Sequence, residues 1–206
     1  MGMGRPREFD PDTAVAAALP IFIQKGYEGA TFGELIAAMG INPPSFYAAF
    51  GNKEGLFDRV LTLYAERGAA IVAEALSQPT AYAVVEKLLR LTADADTDPA
   101  RPPGCLFVQG ALSCSDRAIG VREELANRRT AIEPILRLRL EQAYAHDDKS
   151  VGGSPDKVSR YISTVIQGMA VQAVGGAPRE ALHEIVDVVL DGMGGNHATL
   201  SVAVTE

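Results

Sequence analysis

The stretch TFGELIAAMGINPPSFYAAFGNKEGLF, Thr31 to Phe57, punctuates itself into the starts of three helices. Thr31 followed three residues later by Glu34 is a capping box, in which each side chain satisfies a free N–H group of a first helical turn. Phe32, Leu35, Ile36 and Met39 then fall at i, i+3, i+4 and i+7, one apolar face of a short helix. Gly40 stops it, and the turn Gly40-Ile41-Asn42 leads to a second start with Asn42 as cap and Pro43 in the first turn. In this second helix Phe46 and Phe50 share a face, while Ser45, Tyr47 and Ala48 point away. Gly51 and Asn52 break the chain again before a long helix from about Lys53 to about Ala75. Two short helices joined by a three-residue turn containing glycine form the helix-turn-helix unit, and a plain helical corner has the same local pattern.

Upstream, Asp10-Pro11 opens another helix, with Val15, Leu19, Phe22 and Ile23 at helical spacing. Pro20 removes a hydrogen bond and predicts a kink, and Gly26 stands where a left-handed cap would end the helix. Downstream, helices are expected over Tyr82–Ala95, Cys105–Leu112, Ala118–Ala145, Pro155–Val174 and Pro178–Met193. The breakers between them are Pro99, Pro102 and Pro103, then Gly152 and Gly153, then Gly175-Gly176-Ala177-Pro178. The expected fold is all-α, about nine helices. A three-helix head over 1–52 is joined through the helix at about 53–75 to a larger ligand-binding and dimerisation domain over 53–193, with a flexible tail over 194–206.

The residues from Gly26-Tyr27 through Thr31, and from Met39 to Phe57, resemble the tetracycline-repressor (TetR) family. The resemblance runs over roughly residues 9–64 and rests on the Gly-Tyr, the capped short helix, the Phe46-Tyr47-x-x-Phe50 core and the trailing Lys53-Glu54-x-Leu56. It implies a ligand-responsive transcriptional repressor, acting as a homodimer on a palindromic double-stranded operator and released by a small apolar or amphipathic effector. It also answers a difficulty of charge. The chain carries a net charge of -7, and up to residue 59 Arg5, Arg7, Lys25, Lys53 and Arg59 face seven acidic residues, whereas phosphate binders usually show a basic patch. The family contacts phosphates with hydroxyls, helix N-terminal amides and one lysine. Carried over, the resemblance puts Thr31 and Lys53 on phosphates, and Pro44, Ser45 and Tyr47 in or beside the major groove with Tyr47 on a phosphate, Asn42 and Pro43 counting among the same DNA-binding residues. Arg5 and Arg7 form an arm within reach of a minor groove. Pro43 stands where related sequences often carry a basic residue, which costs one base contact, and Phe46 stands in place of a more usual Leu.

In the larger domain, an apolar effector pocket with one orienting amide is expected from Cys105, Val108, Gln109, Leu112, Ile166 and Met169. The last two helices are apolar around more than one face, which asks for burial against a partner chain. Tyr161, Val165, Gln172, Leu182, Ile185 and Val189 are the expected dimer interface. No catalytic arrangement, cofactor or metal site is expected, because His146, His183 and His197 share no metal spacing. Cys105 and Cys114 are too few for a disulfide framework, and a cytoplasmic setting is expected. The alternatives are a helical ligand-binding dimer whose head no longer reads DNA, and a redox-switched regulator using Cys105 and Cys114.

Overall fold

A computed structural model of the chain describes residues 9–112 and 118–194. Among these residues every regular element is helical: α1 Pro11–Gly29, α2 Phe32–Met39, α3 Pro43–Phe50, α4 Lys53–Leu76, α5 Ala81–Asp96, α6 Leu106–Leu112, α7 Ile119–Thr130, α8 Ile132–Ala145, α9 Pro155–Val174 and α10 Arg179–Gly194. The segment expected as one helix over 118–145 divides at Ala131 into α7 and α8. Pro134 lies in the first turn of α8, where its missing N–H cannot continue the hydrogen-bond ladder of α7. Counted as one broken helix, this pair brings the number to the nine expected.

The punctuation of the first three helices is seated as the sequence demands. Asp10 accepts from the Asp12 and Thr13 N–H groups at the start of α1. The chain runs with helical dihedrals through Pro20, which is exposed, so the missing donor lies on the solvent side. Gly26 takes φ 67° with an extended ψ of -179°. This is a sharp break rather than a left-handed cap, and one further turn follows it before Ala30. The capping box of α2 is complete, with Thr31 accepting from the Glu34 N–H and Glu34 accepting from the Thr31 N–H. Gly40 closes α2 in the left-handed conformation (φ 65°, ψ 29°), where a side chain would be strained.

Two buried clusters organise the packing. The first joins Val15, Leu19, Phe22, Leu35, Phe46, Phe50, Leu56 and Phe57 to Leu106 of α6 and to Val121 and Leu125 of α7. The second lies among α5, α8, α9 and α10, around Leu88, Leu89, Leu136, Leu140, Ile162, Met169, Leu182 and Val186. Helix α4 belongs to both, through Leu61 at one end and Ala75 at the other. Thus α1 packs on α2, α4 and α6, while α5 packs on α4, α9 and α10. Among the described residues no helix is long and apolar enough to cross a membrane.

Candidate nucleic-acid interface and ligand cavity

The exposed edge of the first cluster is built from α2, the turn at 40–42 and α3. Phe46 is fully buried and packs edge-on against Phe32, with centroids 4.9 Å apart and an interplanar angle of 88°. Tyr47 is the neighbouring residue and points the other way, 55% exposed. Its ring stacks on Phe32 at 5.5 Å and 28°, so the phenol is held in place while its outer edge faces solvent. Asn42 accepts from the Ser45 N–H at 2.9 Å. With Pro43 and Pro44 in the first two positions, α3 therefore presents no N-terminal amide of its own, and its reading surface is made of side chains.

Helix α2 differs. Its box uses the N–H groups of Thr31 and Glu34. Those of Phe32 and Gly33 have no acceptor among the described residues, so they stand at the positive end of the helix ready for an anion. The carboxylate of Glu34 is held down to about 2, first by the hydrogen bond from Lys25 and then by those from Thr31. Lys25 pairs directly with Glu34, so its charge is already matched. Lys53, at the first position of α4, sits 4.9 Å from the Tyr27 ring centre and donates to the Glu28 carbonyl at 3.4 Å. Partial burial lowers its pKa, against the opposing pull of Glu28. The adjoining turn needs its glycine, because a Cβ on Gly55 would stand 2.3 Å from the Phe50 carbonyl oxygen. Thr31, Asn42, Pro43, Pro44, Ser45, Tyr47 and Lys53 thus come together along one edge. Arg5 and Arg7 lie outside the described residues.

Behind the head, a cavity of about 570 Å³ opens between α4, α5, α6, the α7–α8 junction and α9. That volume is within the range of about 300–1,000 Å³ usual for small-molecule sites. Its walls are mostly apolar, including Ile71, Val72, Leu76, Leu88, Ile132 and Ile135, and Ile23 of α1 reaches it from the head. Of the expected lining residues, Cys105, Val108 and Ile166 are there. Two are not. Met169, one helical turn past Ile166 on α9, is 1% exposed within the second cluster and does not line the cavity. The Gln109 amide turns away to the Pro103 carbonyl (3.2 Å), closing its own loop instead of orienting a ligand. The side chain of Leu112, and Cys114 altogether, lie outside the described residues.

The polar residues of this cavity were not foreseen. Asp96, the last residue of α5, is only 5% exposed, and burial pushes its carboxyl up to about 7 against the opposing charge of Arg101. Its Oδ2 and the Nε of Arg129 are the two buried side-chain polar atoms without a hydrogen-bond partner among the described residues. Each such group costs about 1–3 kcal/mol, and both residues are on this cavity's wall. Tyr64 spans the gap from α4: its hydroxyl meets the Cys105 thiol and accepts from the Leu106 N–H at 3.4 Å. Its ring packs edge-on against Phe107, with centroids 4.9 Å apart. The Cys105 thiol is pushed up, chiefly by burial, which disfavours its thiolate. A pair of orphaned polar groups in the interior leaves no trace in hydropathy patterning, and only the fold puts residues 96 and 129 on the wall of one cavity.

The expected dimer residues divide. Tyr161 and Gln172 of α9 and Ile185 of α10 are exposed, and Val165 is half-buried. Leu182 and Val189 are interior, 0% and 5% exposed, because their face of α10 packs on α5 and α9 of the same chain. The apolar residues on the open side instead include Val188, 72% exposed, with Val171 and Val174 at the end of α9. A one-residue step on α10, from Val189 to Val188, separates inside from outside.

Comparison with known proteins agrees with this geometry. Residues 14–60 match the family model described as bacterial regulatory proteins, tetR family. The chain is 34% identical to the HTH-type transcriptional repressor BdcR of Escherichia coli, covering 87% of this chain and 86% of that protein. It is 30% identical to the HTH-type transcriptional repressor ComR of the same organism, covering 91% and 90%. Among solved structures, a cysteine mutant of the TetR family transcriptional regulator CifR, complexed with 26 bp double-strand operator DNA, superposes with a TM-score of 0.88. It is 37% identical, over 92% of this chain and 100% of that one.

Proposed function

The chain belongs to the TetR family of transcriptional regulators, which are not enzymes, and from that premise we propose that it represses transcription as a homodimer on a palindromic operator and is released by a small amphipathic effector. The observation that carries the DNA-binding part is Tyr47, fixed on the Phe32 and Phe46 rings yet more than half exposed on α3. A large aromatic held rigidly in the open has a binding use that a buried one does not. Thr31 and the amides of α2 are disposed for a phosphate, and Lys53 beside them for a second one.

The rest of the proposal follows from connectivity. The described residues up to 52 would form the reading head, α4 links it onward, and residues 53–193 would hold the effector cavity and dimer face; residues 1–8 and the expected tail from 195 on lie outside the described residues. Tyr161, Val171, Val174, Ile185 and Val188 give α9 and α10 an apolar outer face, which in a twofold dimer would make a four-helix interface and set two heads about one DNA turn apart. An effector between α4, α6 and α9 presses on Tyr64 and Phe107, and through Ile23 and Leu106 on α1. It shifts the head only by its difference in affinity between the DNA-bound and released states.

Fluorescence anisotropy of the protein on its own upstream DNA, across a salt series, tests the reading. Salt-sensitive, sequence-preferring binding that Tyr47→Ala weakens about tenfold or more is expected. Binding that shows no sequence preference, or that ignores Tyr47→Ala, would sink it.

A further inference from the structure

The cavity's walls specify more than size. Arg67, Arg101, Arg128 and Arg129 line it against a single carboxyl, Asp96. Two of those arginines are already matched: Arg101 pairs with Asp98 at 2.9 Å, and Arg128 with Glu124 at 2.6 Å. Arg67 is at the exposed rim. Arg129 has no ion pair among the described residues, and its Nε is buried without an acceptor. Opposite the apolar wall of Ile71, Val72, Leu76, Leu88 and Ile135 stand therefore an unused cationic donor and an unpartnered carboxyl.

We propose that the cavity takes a small amphipathic monocarboxylic acid, its apolar body against α4, α5 and α8 and its carboxylate paired with the guanidinium of Arg129. This rests on the reading of the cavity as the effector site and names the effector's class. An ammonium compound would leave Arg129 buried beside a second cation, and a plain alkane would leave both polar groups unpartnered. The buried state of Asp96 suits an anion. Burial favours its protonated form, which spares a bound anion the repulsion of an ionised Asp96. The other charged or titratable groups facing Asp96 are Arg101 from the following loop, Tyr64 of α4 and Cys105 ahead of α6.

Isothermal titration calorimetry of the full chain with sodium octanoate, 1-octanol and octylamine at pH 7 tests this. Octanoate is expected to bind at one site per chain, with the alcohol and the amine at least about tenfold weaker, as loss of a charged hydrogen bond implies. Arg129→Gln should cut octanoate affinity about tenfold, while the unliganded protein, relieved of a buried unpartnered donor, unfolds at no lower temperature than the parent. Octanoate should bind more tightly at pH 6 than at pH 8, and Asp96→Asn, uncharged at either pH, should bind it with that dependence removed. No octanoate binding, equal binding of all three compounds, or indifference to Arg129→Gln overturns the proposal. Operator release is read in parallel. Octanoate that binds through Arg129 but leaves the operator bound would remove the effector role and keep the ligand class. Octylamine that releases the operator would keep the effector role and remove the class.

Discussion

The head and the body of this molecule finish their helices by different means. In the head each helix start is satisfied by a side chain two or three residues away: Asp10 for α1, Thr31 for α2, Asn42 for α3 and Asn52 for α4. In the body α5 keeps a local cap in Thr80, but α7, α8 and α9 begin without any side-chain cap, and the ends of α4 and α5 are also tied from far away in sequence. Asp148 accepts from the Ala81 N–H at the start of α5, across 67 residues. Arg139 of α8 donates to the Leu76 and Gln78 carbonyls at the end of α4, at 3.1 and 2.8 Å. Locally capped helices hold a shape that a ligand elsewhere need not disturb. Remotely tied helices form a shell whose members can shift together, which is where a cavity is useful.

The largest expected effect probes whether these two regimes are separate. Phe46→Ala removes a fully buried ring and should cost about 3–5 kcal/mol. Because Leu106, Val121 and Leu125 share its cluster, the loss should appear in calorimetry as one lowered transition. Two resolved transitions, with only the first displaced, would show the head folding on its own. The next effect belongs to the body alone. Asp96 is raised from 3.8 to about 7 in the folded chain, so between those values the folded state holds the extra proton. Stability therefore falls as pH rises from about 4 to about 7 and levels off above, by at most about 4 kcal/mol at 1.36 kcal/mol per pKa unit. Asp96→Asn should flatten that slope in denaturant melts, and an unchanged slope would place the titration elsewhere. Third, Arg139→Met keeps the aliphatic stem while deleting the bonds to α4, and should cost about 2 kcal/mol. A loss under about 0.5 kcal/mol, the usual range of a surface change, would mean that α4 is not held from a distance.

The same division decides what could be read in the sequence. Thr31-x-x-Glu34, Gly40, Asn42-Pro43 and Gly51-Asn52 each act within a turn of chain, so α2, α3 and the start of α4 were legible to the residue. The break at Ala131 was not, because Pro134 alone does not say whether a helix bends, tolerates it or restarts. Cys105, Val108 and Ile166 were placed on the cavity by helical facing. Facing fails for Met169, Leu182 and Val189, since periodicity marks an apolar stripe and not which neighbour covers it. Val188 and Val189 differ only in which side of α10 meets α5 and α9. Asp96 and Arg129 were invisible for a stronger reason: 33 residues apart in number, they mean something only once α5 and α7 share a wall.

The smallest effect is the one that separates fold from function within the head. Thr31 has two tasks that its position alone cannot distinguish: its Oγ1 caps α2 by accepting from the Glu34 N–H at 3.3 Å, and in the proposed complex it meets a phosphate. Thr31→Ala should lower stability by about 1 kcal/mol and weaken operator binding, which either task explains. Thr31→Asp pulls them apart, because aspartate keeps the cap, though it cannot donate to Glu34 as the Thr31 hydroxyl does at 2.7 Å, and carries a negative charge into the place of the phosphate. Thermal unfolding of Thr31→Asp should lie near that of Thr31→Ala, the retained cap offset by repulsion from Glu34, while operator anisotropy at low salt falls well below that of Thr31→Ala. Equal operator affinity for Thr31→Asp and the parent would take the start of α2 off the DNA and leave the capping box as a purely structural device, however complete its hydrogen bonds.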